Sequence, residues 1–201
     1  MIKNLVFDLG NVLVEFKPKD YMDRLGFSTE DIDSLFQIIF KDTRWSEFDR
    51  GTLKIEEYTS ALKVEHPEYK AQIEQMFSGN WTANFLKPKH ESIQFLKKAA
   101  SNYRIYILSN VSEYVLNYVK TLGFWDKVTS GTYSYMIHCL KPEPEIYKAF
   151  FKDNNVIPEE CLFLDDLPQN IAASERAGMK GIVFCDNLED VYQTLDSDIN
   201  L

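Results

Sequence analysis

Several apolar runs in this chain end in side chains that can do chemistry. Leu5, Val6 and Phe7 run into Asp8 within FDLGN; YRIYILSN closes on Ser109 and Asn110; ECLFLDD closes on Asp165 and Asp166. A carboxylate can serve as an oxygen nucleophile or a metal ligand, and a hydroxyl or an amide can donate to phosphoryl oxygens. Lys141, in LKPEPEIY, adds a fixed positive charge ahead of a helical pattern. A single aspartate after a strand is ordinarily a turn or capping residue. Three carboxylates brought into one cleft repel each other unless a cation holds them, and oxygen-only donors select a hard ion, most simply Mg²⁺. Such a set suits binding a phosphoryl group while a carboxylate attacks phosphorus in line.

That chemistry needs the run ends brought together, and the pattern of elements supplies a way. From about Tyr103 onward, short apolar runs alternate with helical patterns. YRIYILSN, ECLFLDD and GIVFCD read as strands, and VTSGTYSY lies between two helical patterns. SEYVLNYVKTLGF, KPEPEIYKAFFKDNN and LPQNIAASERAGM read as helices, the last with Pro168 near its start and Gly178 at its end. Alternation of this kind implies βαβ units and a parallel sheet, whose carboxyl edge collects ligand-binding residues. Residues from about Phe16 to Phe85 read instead as successive helices. STEDIDSLFQIIFKD opens with a capping pattern from Ser28 to Asp31 and places Ile32, Leu35, Phe36 and Ile39 on one face. The expected architecture is therefore α/β, a Rossmann-like three-layer core (residues 1–15 and 86–201) with a small all-helical cap domain (16–85) inserted after the first strand. The segment TRWSEFDRG offers Arg44 to the cleft, with Trp45 and Phe48 expected mainly in the cap's own core.

Composition narrows the function classes. The formal charge is −9, from 22 basic and 31 acidic residues, with no Lys/Arg cluster. That opposes nucleic acids and anionic membranes but leaves a small anionic substrate open, because a few convergent donors and a bound cation dominate the local field. No run is long enough to cross a bilayer and no signal-peptide pattern is present, so a cytoplasmic protein is expected, and no protein partner can be inferred. Cys139, Cys161 and Cys185 lack metal-ligand spacing and are expected as buried thiols.

The ordered motifs FDLGNVL, LSN, KPEPEIY and FLDDLPQNIAASERAGM resemble those of the haloacid dehalogenase superfamily. Within it the pattern is similar to sugar-phosphate phosphatases, including an alpha-glucose-1-phosphate phosphatase group, and to the phosphatase domain of soluble epoxide hydrolase. The resemblance implies Asp8 as nucleophile and Ser109 and Asn110 as phosphoryl ligands. It implies Lys141 as the orienting cation, and Mg²⁺ held by Asp8, Asp166 and the Gly10 carbonyl with Asp165 in support. The substrate class would be a small phosphorylated metabolite. Two rivals are a phospho-ligand sensor and a metal-independent dehalogenase; dehalogenases resemble a different fourth motif, so FLDD argues against the latter.

Gly10 is a departure, because phosphatases of this superfamily usually carry there an aspartate that protonates the leaving oxygen and later activates water. Its absence predicts a preference for leaving groups that need little protonation. Asn11, Arg44 and His138 are candidates for substrate contact or proton transfer. The amide of Asn11 does not titrate, so His138, three residues before Lys141, is the candidate proton carrier.

Overall fold

The structure, a computed structural model, describes residues 1–195. The chain opens with β1 (Asn4–Phe7) and β2 (Val14–Phe16). Helices α1 (Pro18–Arg24), α2 (Thr29–Phe40), α3 (Thr43–Arg50), α4 (Ile55–Glu65), α5 (Lys70–Met76) and α6 (Trp81–Phe85) follow without an intervening strand. Then come β3 (Leu86–Pro88), α7 (His90–Ala99), β4 (Arg104–Ser109), α8 (Glu113–Val119), β5 (Ser130–Tyr133) and α9 (Ser134–Ile137). Last are α10 (Pro144–Asn154), β6 (Cys161–Asp165), α11 (Pro168–Arg176), β7 (Lys180–Val183) and α12 (Glu189–Thr194).

Five strands form one parallel sheet in the order β5-β4-β1-β6-β7. β1 is central, and all four of its residues are buried, as expected of a strand covered on both faces. The period of two divides its side chains. Leu5 and Phe7 pack in one cluster with Phe95 and Leu96 of α7 and Leu116 of α8, whereas Val6 packs in the other with Ile146 and Phe150 of α10 and Ile171 of α11. The result is the α/β/α layering read from the sequence. α2 begins where expected, with the Ser28 hydroxyl accepting from the Asp31 N–H at 3.1 Å. Among the described residues no helix is long and apolar enough to cross a membrane.

Two features depart from the sequence reading. β2 and β3 form a separate antiparallel pair, Val14 opposite Pro88 and Phe16 opposite Leu86, at the two ends of the helical insertion. Strands of three residues carry no readable periodicity. Of the three free thiols only Cys161 is buried; Cys139 is partly exposed and Cys185 exposed.

The insertion is fastened to the sheet domain at the end of α3. The Ser134 hydroxyl donates to the Asp49 carbonyl at 2.6 Å, and Arg50 pairs with Glu143 at 2.7 Å. Gly51 ends the helix at φ +77°, and a β-carbon there would lie 2.6 Å from the Tyr135 carbonyl oxygen. Left-handed backbone costs a side chain roughly 1–2 kcal/mol and overpacking about 1–3 more. Gly51→Ala is expected to destabilise the protein by about 2–5 kcal/mol, read from the urea midpoint at unchanged slope. An unmoved midpoint would mean that this junction is slack.

Candidate active site

The β1 ladder ends where the chemistry begins. The Asp8 N–H still donates to the Leu164 carbonyl at 2.9 Å, but its side chain has left the sheet and accepts from the Leu9 N–H at 2.7 Å. The next residues reverse direction through Asn11, whose φ of 55° lies in the left-handed region that asparagine tolerates. β4 ends at Ser109 and β6 at Asp165, so parallel register delivers all three termini to one edge. A cavity of roughly 320 Å³ opens there between the sheet and the helical insertion, with Asp8, Gly10, Ser109, Asn110, Lys141 and Asp166 on its wall.

Lys141 is the centre of the cluster. Its ammonium lies 2.9 Å from Asp8 and 2.6 Å from Asp165, and it donates to the Leu108 carbonyl at 3.0 Å. It is 4% exposed and Asp165 fully buried. Burial opposes the ammonium, but the two carboxylates outweigh it and hold its pKa above the usual lysine value. Asp8 is pushed up to about 6, first by burial and then by the field of Asp165, against Lys141 and a hydrogen bond from Ser109.

Partners separate the two aspartates of FLDD. Asp165 accepts from Lys141, from the Leu167 N–H at 2.9 Å, and from the Asn170 amide at 2.9 and 3.1 Å. Asp166 is partly exposed and accepts from the Asn11 amide at 3.0 Å. Carboxylate oxygens of Asp8, Asp165 and Asp166 all lie within 4.8 Å of one another. Three carboxylates against one ammonium leave two negative charges, and the raised pKa of Asp8 registers part of that excess. An oxygen-rich site of this charge fits a hard divalent cation.

Other side chains stand apart from the sequence reading. The Asn110 amide is committed to the Lys141 backbone, accepting from its N–H at 2.7 Å and donating to its carbonyl at 2.9 Å. It positions the lysine with its oxygen and one of its two amide hydrogens, and it stands on the cavity wall. Arg44 is not on the cavity wall; it is held by Asp42 and Glu65 at 2.5 and 2.6 Å. Nor is His138, whose ring Nδ1 lies 3.0 Å from the Arg50 carbonyl oxygen and whose backbone sits at φ 55°. Local spacing to Lys141 suggested the cleft, but the left-handed turn at His138 sends its ring to the α3 junction. Asn170, Trp45 and Asp49 line the cavity and were not singled out as site residues from the sequence. Asp49 did carry a signal: an acidic residue in the last turn of a helix opposes the helix dipole.

A family model described as haloacid dehalogenase-like hydrolase matches residues 2–178. The chain belongs to that family. It is 26% identical over 194 residues to a D-ribitol-5-phosphate phosphatase of Bacteroides thetaiotaomicron, covering 90% of each protein. It is 23% identical over 188 residues to a sesquiterpene phosphatase of Aspergillus oryzae, covering 92% of this chain and 91% of that one. Its fold is similar to that of a haloacid dehalogenase family enzyme of Bacteroides thetaiotaomicron solved with magnesium and inorganic phosphate. That likeness has a TM-score of 0.75 at 24% identity, over 96% of this chain and 100% of the other.

The unequal settings of the paired aspartates predict unequal stability losses. Asp165→Ala removes one of two carboxylates from a buried ammonium and leaves the Asn170 amide without its acceptor, and is expected to cost about 3 kcal/mol, whereas Asp166→Ala should stay within about 0.5 kcal/mol. Thermal and urea unfolding of the two variants checks this; equal losses would contradict the assignment of Asp165 as the structural partner.

Proposed function

We propose that the protein is a Mg²⁺-dependent phosphoric monoester hydrolase that cleaves a small phosphorylated metabolite through a phospho-Asp8 intermediate. The observation that carries this reading is the buried Lys141 ammonium beside Asp8 on the wall of one cavity. Asp8 attacks phosphorus, and Ser109 and Lys141 hold the transferring phosphoryl oxygens. Asp8, Asp166 and the Gly10 carbonyl hold the cation, with Asp165 supporting through Lys141 and Asn170. When bound, Mg²⁺ supplies positive charge to the phosphoryl oxygens. The magnesium and phosphate of the Bacteroides neighbour are in keeping with this arrangement.

In this reading residues 16–85 act as a cap over the sheet edge and supply Phe16, Trp45 and Asp49 to the cavity. Two related phosphatases support the reaction class, and the ribitol phosphate enzyme supports a sugar or polyol phosphate, with glucose 1-phosphate as the example suggested by the DLGN motif. A second reading of the leaving group rests on the cavity wall. Phe16, Trp45, Leu86, Val115 and Leu167 present carbon rather than the hydroxyl partners a polyol needs, which favours an aryl or prenyl monophosphate.

Phosphate release is to be measured over a panel containing glucose 1-phosphate, ribitol 5-phosphate, farnesyl monophosphate and 4-nitrophenyl phosphate, with Mg²⁺ and with EDTA. Turnover should need Mg²⁺, and kcat/KM should rank the two leaving-group readings. Asp8→Asn, nearly isosteric, should fold normally and lose more than about 10³-fold in kcat. Binding of phosphate esters without turnover would make the protein a sensor instead. Turnover retained by Asp8→Asn would remove the covalent mechanism.

A further inference from the structure

Gly10 raises a question that His138 does not answer: which group gives the leaving oxygen its proton? Asp49 shares the cavity wall with Asp8, Ser109 and Lys141, and reaches it from the opposite side, off the inserted helix α3. Its neighbourhood is built to hold it still. The Asp49 carbonyl accepts from the Ser134 hydroxyl at 2.6 Å, and that hydroxyl accepts from the Val111 N–H at 2.8 Å, in the loop leaving β4. Next in sequence, Arg50 is bound to Glu143 at 2.7 Å, and its carbonyl meets His138. Then Gly51 presses against the Tyr135 backbone. Three consecutive residues of the insertion are thus tied to α9 and to the residues flanking Lys141, with Val111, two residues after Ser109, joined through Ser134.

We infer that Asp49 is the general acid and base of this site, taking the role that Gly10 cannot fill. The inference rests on the phosphatase reading above. In the first step an Asp8 carboxylate oxygen bonds to phosphorus, the bond from phosphorus to the ester oxygen breaks, and that oxygen takes the proton of Asp49. In the second step Asp49, now a carboxylate, takes a proton from water. The water oxygen bonds to phosphorus, the bond from phosphorus to Asp8 breaks, and inorganic phosphate leaves with both aspartates restored.

The environment suits the role. Burial pushes the Asp49 carboxyl up to about 8 and the charge of Asp8 adds to this, while a hydrogen bond from the Ser112 N–H opposes it. The charged neighbours on its own helix are paired: Arg50 is bound to Glu143 and lies 3.4 Å from Glu47. A carboxyl whose ionisation is opposed in this way is suited to hand a proton to a leaving oxygen.

The test separates leaving groups. Wild type, Asp49→Asn and Asp49→Glu are to be assayed on a primary alkyl phosphate and on 4-nitrophenyl phosphate, with phospho-enzyme followed by intact mass after rapid acid quench. Asp49→Asn should lose about 10²–10⁴-fold in kcat/KM on the alkyl ester and less than about 10-fold on the aryl ester, whose leaving group needs no proton. It should also accumulate phospho-Asp8 from the aryl ester, and Asp49→Glu should recover part of the alkyl activity. A second variant covers the case in which Asp49→Asn folds poorly. A β-carbon at Gly10 would meet nothing within 4 Å, and Gly10 is not among the residues with positive φ, so Gly10→Asp fits the backbone. Gly10→Asp combined with Asp49→Asn should restore alkyl cleavage. Equal losses on both esters, no accumulated phospho-enzyme, or no restoration by Gly10→Asp would overturn the assignment. If Asp8→Asn remained active in the same assays, the covalent reading itself would fall, whatever Asp49 does.

Discussion

The buried ammonium of Lys141, between Asp8 and Asp165, is the interaction on which the site depends. Removing an ammonium and two carboxylates from water costs several kcal/mol per ion, and only close pairing with every remaining donor satisfied offsets it. The surrounding contacts serve that end. Asn110 grips the lysine backbone on both sides, the Leu108 carbonyl takes a third of the ammonium's protons, and Asn170 and the Leu167 N–H occupy the oxygens of Asp165. With Asp165 so committed, the remaining negative charge lies on Asp8 and Asp166. The cavity therefore presents two carboxylates, Asp8 and Asp166, on the same wall.

The helical insertion adds Phe16, Trp45 and Asp49 to a wall otherwise built by the sheet domain. Its core is continuous with one face of the sheet, since Leu35, Phe48, Tyr58 and Trp81 belong to the same buried cluster as Leu5 and Phe7. Its position is set more sharply at the α3 junction, by hydrogen bonds to backbone carbonyls and by a glycine that admits no side chain. A carboxyl there has a thermodynamic cost. The pKa of Asp49 is raised by folding, so the unfolded chain ionises first as pH rises above the usual aspartate value. Stability is lost progressively until the folded group also ionises, at about pH 8. At neutral pH the fold is thus less stable than it would be with a neutral side chain, as is common where a site needs a group out of its preferred state.

Much of this was legible in the residues themselves. The alternation of apolar runs and helical patterns identified four of the five parallel strands, and the terminal residues Asp8, Ser109 and Asp165 were readable because a buried run that stops at a polar group marks a sheet edge. The same reasoning placed Lys141 near them. It did not foresee the partners of Asn110, His138 and Arg44, whose side chains meet a lysine backbone, the Arg50 carbonyl and two carboxylates respectively. Residue type and spacing state what a group can do, but not which neighbour reaches it first.

The sequence by itself determined the fold class, the strand order's carboxyl edge as the place for chemistry, and a set of oxygen donors suited to a divalent cation. These follow from local periodicity and from charge, which are properties of short stretches. Only the tertiary structure decided that Asp165 supports Lys141 while Asp166 faces the cavity, that Asn110 holds the lysine backbone, and that Asp49 and Asp8 line one cavity. Each of those depends on contacts between segments far apart in the chain: Lys141 is 133 residues from Asp8, and Asp49 is 41. Packing sets the distance and the dielectric between such groups, and neither is encoded in the spacing of residues along one strand or helix.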